Sequence, residues 1–539
     1  MAGKNGRSLI AYLILCSILL SGLYLRASHL SEPSFLADEL SHVYGARSLL
    51  ENGKPTLPWG KDYNRAILYT ELVAISFKVF GINEFTSRLP SVFFGILTII
   101  LLFFVGRKFF NTTVGLIAAI FIAFIPFEIV WTRECRLYSM YQFFYLLGIF
   151  AFYNGFENEK APHERRKWFD LAFHVDLGQA VSIRWLILAL ISFSVSFTLQ
   201  PLSILFYGSM VCYLIVMSSY AYLTNGFREA LKSKYFVALM VLLISGIAVM
   251  LVVDVFGLIN KLRTPLPWAG ESRLYFYRYL GFLNRHNFFP IGAFFLLGVV
   301  VIISRLHKAG IYTITCVGVP MSVHALFAPF GASRYIFDIF PLILLIASYF
   351  AYDFFKRCLA TLSTSLSLIN NKRIRGSENE AKVLLTAMII LLFLPASWWL
   401  RHSLLVTSHL MNPRSDEIGG VIHYDWRGAS NYLKRVYRPG DTVITCTPTT
   451  MLYYFGAADY VLRKLTSDNY EQNKTIVSLA ALQNVVAANA RGWIVMSIGA
   501  WEDETVLPAD IKSYITCHLR PHVRAKNDTV LIYSWNNNS

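Results

Sequence analysis

The chain has 539 residues, of which 55% are hydrophobic, 15% aromatic and only 15% charged, with a formal net charge of +16. Soluble domains average about 25% charged residues, so a chain of this length and composition would carry a large unhidden apolar surface in water. Lipid removes that difficulty, because apolar side chains can face outward there, and the composition therefore excludes an ordinary soluble enzyme. The positive balance does not point to nucleic acid. No binding motif accompanies it, and Lys and Arg gather between apolar segments, as inner loops of membrane proteins require.

In chain order, ten stretches lack Lys and Arg entirely: 8–25, 89–106, 114–131, 137–154, 186–218, 236–256, 288–303, 311–329, 335–355 and 383–400. A helix needs about 20 apolar residues to cross the hydrocarbon core. Stretch 186–218 is long enough for two spans, broken near Gln200-Pro201, where proline cannot continue the hydrogen-bond ladder. About eleven spans are expected. The first has no small-residue cleavage site after it and is read as an anchor, not a signal peptide. Stretch 67–80 carries Glu71 and Lys78 and reads as an amphipathic interfacial helix. With the N-terminus inside, the inner loops hold 20 Lys and Arg in 96 residues and the outer loops 15 in 104. This bias places the N-terminus in the cytoplasm and the C-terminal region outside.

From His402 onward the composition is that of a soluble domain. Asp425–Val436 reads as a helix, Arg438 to Asp441 as a turn and Thr450–Phe455 as a helix; Asp441–Cys446, Gly492–Ser497 and Thr529–Trp535 read as strands. The expected fold is mainly α: a polytopic transmembrane bundle over 1–400, with interfacial helices in the first outer loop 26–88, and a small extracytoplasmic α/β domain over 401–539. The seven Cys show neither metal-ligand spacing nor a CxxC pair, and sequence alone does not decide whether Cys446 and Cys517 pair.

Three groups of residues carry candidate chemistry. The first is Asp38-Glu39 with His42, shortly after the first span. Adjacent carboxylates at a bilayer edge are costly unless solvated, paired or used; the plain alternative is a solvated loop in which Asp38 caps a helix over 39–51. The second is Arg133-Glu134-Cys135-Arg136 with Tyr138, between two apolar runs. On a helix Arg133 and Arg136 would share a face and converge on one anion; the alternative is an interfacial salt-bridge cluster. The third is scattered: Lys61 and Arg65 in the first loop, Arg263, Arg273, Arg278 and Arg285 in 257–287, and Arg334 before Tyr335. Singly these are snorkelling cations; together, with the aromatic residues of 257–287, they suit an anionic head group bearing an apolar tail. Glu128, Asp254, His324 and Asp338 lie within spans, and such intramembrane groups are site candidates without an assigned role.

Ala37-Asp38-Glu39, Tyr44-Gly-Ala-Arg47, Asn52-Gly53, Val79-Phe-Gly81, Glu84-Phe-Thr-Ser-Arg88-Leu-Pro90, Gly106-Arg-Lys-Phe-Phe110, Val114-Gly115, Pro126-Phe127 and Arg133-Glu134-Cys-Arg136-Leu-Tyr138 follow one another in this order over 33–154. This stretch resembles the N-terminal module of the GT-C superfamily of membrane glycosyltransferases, nearest the protein O-mannosyltransferase and lipid A aminoarabinose transferase group. Arg334-Tyr335 and Asp425-Trp426-Arg427-Gly428 look like later parts of such enzymes. The resemblance implies a polyprenyl- or dolichyl-phosphate-linked sugar donor, an acceptor that is a lipid, glycan or protein, and an active site at the outer face. It implies Asp38 as catalytic base, Glu134 as second acid and Arg136 as the cation of the motif. Relatives carry His-Pro-Pro where this chain reads Asp62-Tyr63-Asn64-Arg65-Ala66, which makes Arg65 the candidate for a replaced contact.

On that reading Asp38, Glu39 and Glu134 serve catalysis, Arg133, Arg136, Arg334, Lys61, Arg65 and Arg278 hold the donor phosphate, and His42 and Tyr138 face sugar or acceptor. A divalent metal between Asp38 and Glu134 is compatible with the residues, but the spacing does not demand it. The competing class is a transporter or flippase of lipid-linked sugars, which predicts symmetric halves and mid-membrane charges; no internal repeat is seen. A non-catalytic membrane scaffold is a third class, whose acid pair would tolerate substitution.

Overall fold

The computed structural model describes residues 2–157, 181–252, 279, 281, 283, 290–327, 333–370, 397, 399–405, 424–462, 474–504, 506–522 and 529–537. It divides into two compact units: residues 1–26, 92–132 and 137–404, and residues 27–91, 133–136 and 405–539. The sequence division at residue 400 follows chain order; the structure instead groups the first loop and the 133–136 turn with the C-terminal region.

The first unit is helical. Apolar runs free of Lys and Arg become the helices Ala2–Ala27, Glu84–Phe109, Tyr138–Phe156, Ile183–Leu199, Ile204–Asn225, Lys234–Val252, Ile291–Ser304, Lys308–Phe327 and Phe340–Asn370. The break at Gln200-Pro201 falls where proline predicts it, as a short 3-10 turn Pro201–Ser203. Among the described residues four helices are long and apolar enough to span a membrane alone, and a fifth span is the bent pair Thr112–Phe124 and Pro126–Thr132. That pair corrects the reading of 114–131 as one straight helix: the axis turns by 63°. Pro126 supplies no N–H and forces Ile125 into an extended conformation (φ −72°, ψ 127°).

The carbonyls freed by the bend are met from outside the helix. Arg26, fully buried, donates from Nη2 to Ile122 O (2.9 Å) and from Nη1 to Ala123 O (3.0 Å) and Gly22 O (3.2 Å). Ser403 Oγ donates to Phe124 O (2.6 Å). A broken helix in lipid survives only when its backbone groups are satisfied in this way. Three of the intramembrane candidates are also engaged: Gln142 Nε2 donates to Glu128 Oε1 (2.9 Å) and Phe337 O (2.6 Å), Tyr141 OH donates to Asp338 Oδ2 (2.9 Å), and the His324 ring stacks on Tyr335. Asp254 lies outside the described residues.

The glycines of the Gly106 and Val114-Gly115 motifs are packing devices. A Cβ on Gly115 would stand 2.5 Å from Phe103 O and 3.0 Å from Arg107 N, and one on Gly106 would stand 2.7 Å from Gly115 Cα. Small residues let neighbouring membrane helices approach backbone to backbone. Gly115→Val is expected to cost at least about 1–3 kcal/mol through overpacking, read as a lower thermal midpoint in detergent; an unchanged midpoint would refute the close approach.

In the second unit the loop helices are Ala37–Asn52 and Ile67–Phe80, and the first two turns of Glu84–Phe109 pack with them. The C-terminal part is an α/β layer with a six-stranded sheet in the order β3-β2-β1-β4-β6-β5. The strands are β1 (Thr442–Thr445), β2 (Tyr460–Leu462), β3 (Lys474–Ile476), β4 (Arg491–Ser497), β5 (Arg520–Pro521) and β6 (Val530–Asn536). β3, β2, β1 and β4 run parallel, and β6 is antiparallel to both β4 and β5. The core is apolar, with Ile444, Leu462, Ile494 and Met496 from the strands meeting Leu482, Ile511 and Ile515 from the helices. At the turn before β1, Gly440 takes φ 95° and Asp441 Oδ2 accepts from Trp493 Nε1 (2.8 Å), tying the turn to the core. Cys446 is buried and Cys517 exposed, and neither is in a disulfide.

Candidate active site

The site grows from the first turn of the Ala37–Asn52 helix. Consecutive residues on a helix point about 100° apart, so Asp38 and Glu39 go to different places. Glu39 points inward and is fully buried. Its Oε1 accepts from Arg88 Nε (2.8 Å) and Cys135 N (2.8 Å), and its Oε2 accepts from Arg88 Nη2 (2.8 Å) and Leu36 N (2.9 Å). Arg88, also buried, donates from Nη1 to Leu30 O (2.8 Å) and Pro33 O (3.0 Å), and its guanidinium lies over the Phe35 ring. Two opposite charges removed from water are tolerated here because nearly every lone pair and proton finds a partner.

This corrects two expectations. The residue capping the helix is Leu36, whose N–H is taken by Glu39; Asp38 is not the cap. Glu39, expected to serve catalysis with Asp38 and Glu134, has both oxygens committed to Arg88 and to the N–H groups of Leu36 and Cys135, so it braces the loop.

Asp38 points outward, with 64% of its side chain exposed, and its Oδ2 lies 3.0 Å from Nη1 of Arg136. Arg136 arrives there because the chain between Thr132 and Tyr138 is not helical. Arg136 N donates back to Glu134 O (2.7 Å), Cys135 N is held by Glu39, and Ser91 Oγ donates to Arg136 O (3.1 Å). The helical face that would have made Arg133 and Arg136 converge is therefore absent. Arg133 Nη1 instead donates to Ser28 O (2.7 Å). Glu134 is buried, near enough to Arg88 to act on it electrostatically.

The segment after the helix forms a tight hairpin. Leu57 N donates to Lys61 O (2.8 Å), Tyr63 N donates to Pro55 O (2.8 Å), and Gly60 takes φ 81° at the tip. It leaves Lys61 and Arg65 exposed and Tyr63 half-buried. His42, expected to face sugar or acceptor, lies instead under Tyr63, 1% exposed. Its Nδ1 pairs with Thr70 Oγ1 (2.9 Å) and its Nε2 with Tyr63 OH (3.3 Å), while the Tyr63 and Tyr69 rings stand edge-on to it. Burial first, then the charges of Arg136 and Arg65, holds its pKa well below the ordinary histidine value, so the ring is neutral. Burial likewise pushes the Tyr63 phenol up to about 12, keeping it a neutral hydrogen-bonding group. Tyr63, in the segment that departs from the relatives, is the functional candidate the sequence reading left without a role.

Tyr138 and Arg334 belong to the membrane unit. Tyr138 is buried edge-on against Trp131, 5.1 Å between centroids, and the Arg334 guanidinium lies 5.9 Å from the centre of the Tyr335 ring. Arg263, Arg273, Arg278 and Arg285 lie outside the described residues. Among the described residues no group of three His, Cys, Asp or Glu side chains is gathered that could hold a metal ion.

Residues 64–182 match the family model of dolichyl-phosphate-mannose-protein mannosyltransferases. The stretch includes Glu134 and Arg136; Asp38 precedes it. By sequence, no curated protein matches the chain. Among solved structures, ArnT of Cupriavidus metallidurans in the apo state is similar with a TM-score of 0.55 at 11% identity, covering 99% of this chain and 98% of that one. The same protein bound to undecaprenyl phosphate gives 0.55 at 11% identity, with 98% of each chain covered. The oligosaccharyltransferase AglB of Archaeoglobus fulgidus, in complex with an inhibitory peptide and a dolichol-phosphate, gives 0.57 at 11% identity, covering 97% of this chain and 74% of that one. Likeness at this identity establishes a shared fold.

Proposed function

We propose that this chain, an integral membrane glycosyltransferase of the GT-C fold, moves a sugar from a polyprenyl-phosphate donor to an acceptor hydroxyl at the outer membrane face by direct, inverting displacement. The observation that carries this reading is the Asp38–Arg136 pair: an exposed carboxylate 3.0 Å from a largely buried guanidinium. The reaction needs one group that takes a proton and one that neutralises a growing phosphate charge, close together. Two supports come from similar proteins: a solved ArnT structure holds undecaprenyl phosphate, and a solved AglB structure holds dolichol-phosphate.

The acceptor oxygen attacks the anomeric carbon while its proton passes to the Asp38 carboxylate. The new bond from that oxygen to the sugar forms as the bond from the sugar to the phosphate oxygen breaks, and the bonding pair leaves with the lipid phosphate. A lipid phosphate departs well once its charge is met, so fixed cations matter more than an acid. Arg136 takes this role, with the exposed Lys61 and Arg65 of the neighbouring hairpin as further contacts. In the resting site Arg136 holds Asp38; when donor arrives it is shared with the phosphate. Glu134 is buried and its backbone O accepts from Arg136 N (2.7 Å), which fixes the turn that carries the cation. The orientation follows the loop charges: N-terminus cytoplasmic, C-terminal region outside. The acceptor class — lipid, glycan or protein — is the one the product of the reaction will identify.

Arg136→Ala is expected to raise the donor KM and lower kcat/KM by about tenfold to a hundredfold, the value of about 1.5–3 kcal/mol for a hydrogen bond to a charged group. The assay is transfer from a labelled lipid-phosphate sugar by purified protein over a donor titration. A variant with unchanged donor affinity and rate would remove Arg136 from the donor site.

A further inference from the structure

Asp38 stands in the first turn of the Ala37–Asn52 helix, directly after a stretch that regular secondary structure does not hold, and the backbone of that stretch is gripped from the C-terminal region. The Tyr454 hydroxyl accepts from Phe35 N (2.8 Å) and donates to Glu84 Oε1 (2.9 Å). Arg427 pairs with the same Glu84 oxygen and donates from Nη2 to Ser31 O (3.0 Å), while Arg427 N donates to Ser34 Oγ (3.0 Å). The Phe35 ring meets Tyr453 edge-on at 5.2 Å.

The local sequence fits this task. Asp425 caps the Trp426–Val436 helix through Oδ1 accepting from Gly428 N (2.8 Å), and a Cβ at Gly428 would fall 2.2 Å from the Asp425 Oδ2 oxygen. Trp426 is buried, which fixes the first turn and so aims Arg427. The Asp-Trp-Arg-Gly stretch thus has a physical purpose that the transfer chemistry does not use.

We infer that Tyr454 and Arg427 are positioning residues for the general base: the C-terminal region clamps residues 31–35 and thereby fixes where the Asp38 carboxylate stands. This rests on Asp38 as the base. Both residues spend their polar atoms on residues 31–35 and on Glu84. The clamp acts through Phe35 N and the Ser31 and Ser34 oxygens, and Glu39 and Arg88 hold the same stretch through Leu36 N and the Leu30 and Pro33 carbonyls. Anything that loosens it moves the carboxylate relative to the acceptor hydroxyl without altering the groups that hold the donor.

The test is a double-mutant cycle in the full-length purified protein, with transfer followed under single-turnover conditions from a labelled polyprenyl-phosphate sugar. Tyr454→Phe, which removes one hydroxyl and keeps the ring, is expected to lower the transfer rate about tenfold with the donor KM unchanged. Arg427→Lys should do the same. In the Asp38→Asn background Tyr454→Phe should add no further loss. Tyr44→Phe, which removes a hydrogen bond from Tyr44 OH to Thr449 O (2.9 Å) beyond Asp38, should leave the rate unchanged. A Tyr454→Phe rate equal to wild type, or an equal loss with and without Asp38, would overturn the clamp. Wild-type turnover by Asp38→Asn alone would overturn the base assignment on which it rests, a separate and distinguishable failure.

Discussion

Asp38→Asn is expected to lower sugar transfer by about 10²–10⁴-fold, the usual contribution of a positioned general base, while donor still binds. The substitution keeps size and shape, and the amide cannot take the acceptor proton. It also leaves Arg136 opposite a neutral group, so donor affinity should hold or rise, since the guanidinium no longer divides itself between Asp38 and phosphate. Because the Asp38 side chain is 64% exposed, its ion pair contributes little to folding, and the thermal midpoint should move little. Turnover near the wild-type level would end Asp38's role.

The neighbouring carboxylate behaves in the opposite way. Glu39→Ala leaves Arg88 buried without its carboxylate, and strands the N–H groups of Leu36 and Cys135. Breaking a buried pair by removing one partner costs about 3–5 kcal/mol, a large share of the stability of a typical domain. The expected result is poor recovery of folded protein, or a strongly lowered thermal midpoint, together with lost activity. Glu39→Gln should fall between, because an amide still accepts from Arg88. A Glu39→Ala protein that melts like wild type would contradict the geometry around Arg88. Two adjacent acids thus separate cleanly: one whose loss is seen in rate, one whose loss is seen in stability.

That separation was not legible in the sequence. Asp38 and Glu39 look alike as a pair of letters, and the partner that distinguishes them, Arg88, lies 49 residues on. Arg88 stood among the resemblance residues without a role. The membrane helices were legible because the absence of Lys and Arg over a span's length is a strong physical signal. The break at Pro201 was legible because a 33-residue stretch had to hold two spans; the bend at Pro126 was not, because 114–131 already had the length of one, and its support comes from Arg26, which was counted as a loop cation. Arg133 and Arg136 were read on a helical spacing, and the turn that sends them apart is set by Glu39 and Ser91, distant in sequence. In the C-terminal region the longer strands and the Asp425-capped helix followed from local pattern, whereas β2, β3 and β5, two or three residues each, are shorter than any pattern can mark. The sequence sets His42 beside the acid pair and so toward sugar or acceptor; only the packing of Tyr63 and Tyr69 against it shows a buried support.

The most direct test is the configuration of the product. With a donor of known anomeric configuration and an acceptor that yields product, nuclear magnetic resonance of the transferred sugar reads the new linkage. Direct attack assisted by Asp38 beside Arg136 predicts the inverted anomer. A retained anomer would exclude a single direct displacement and would contradict the account.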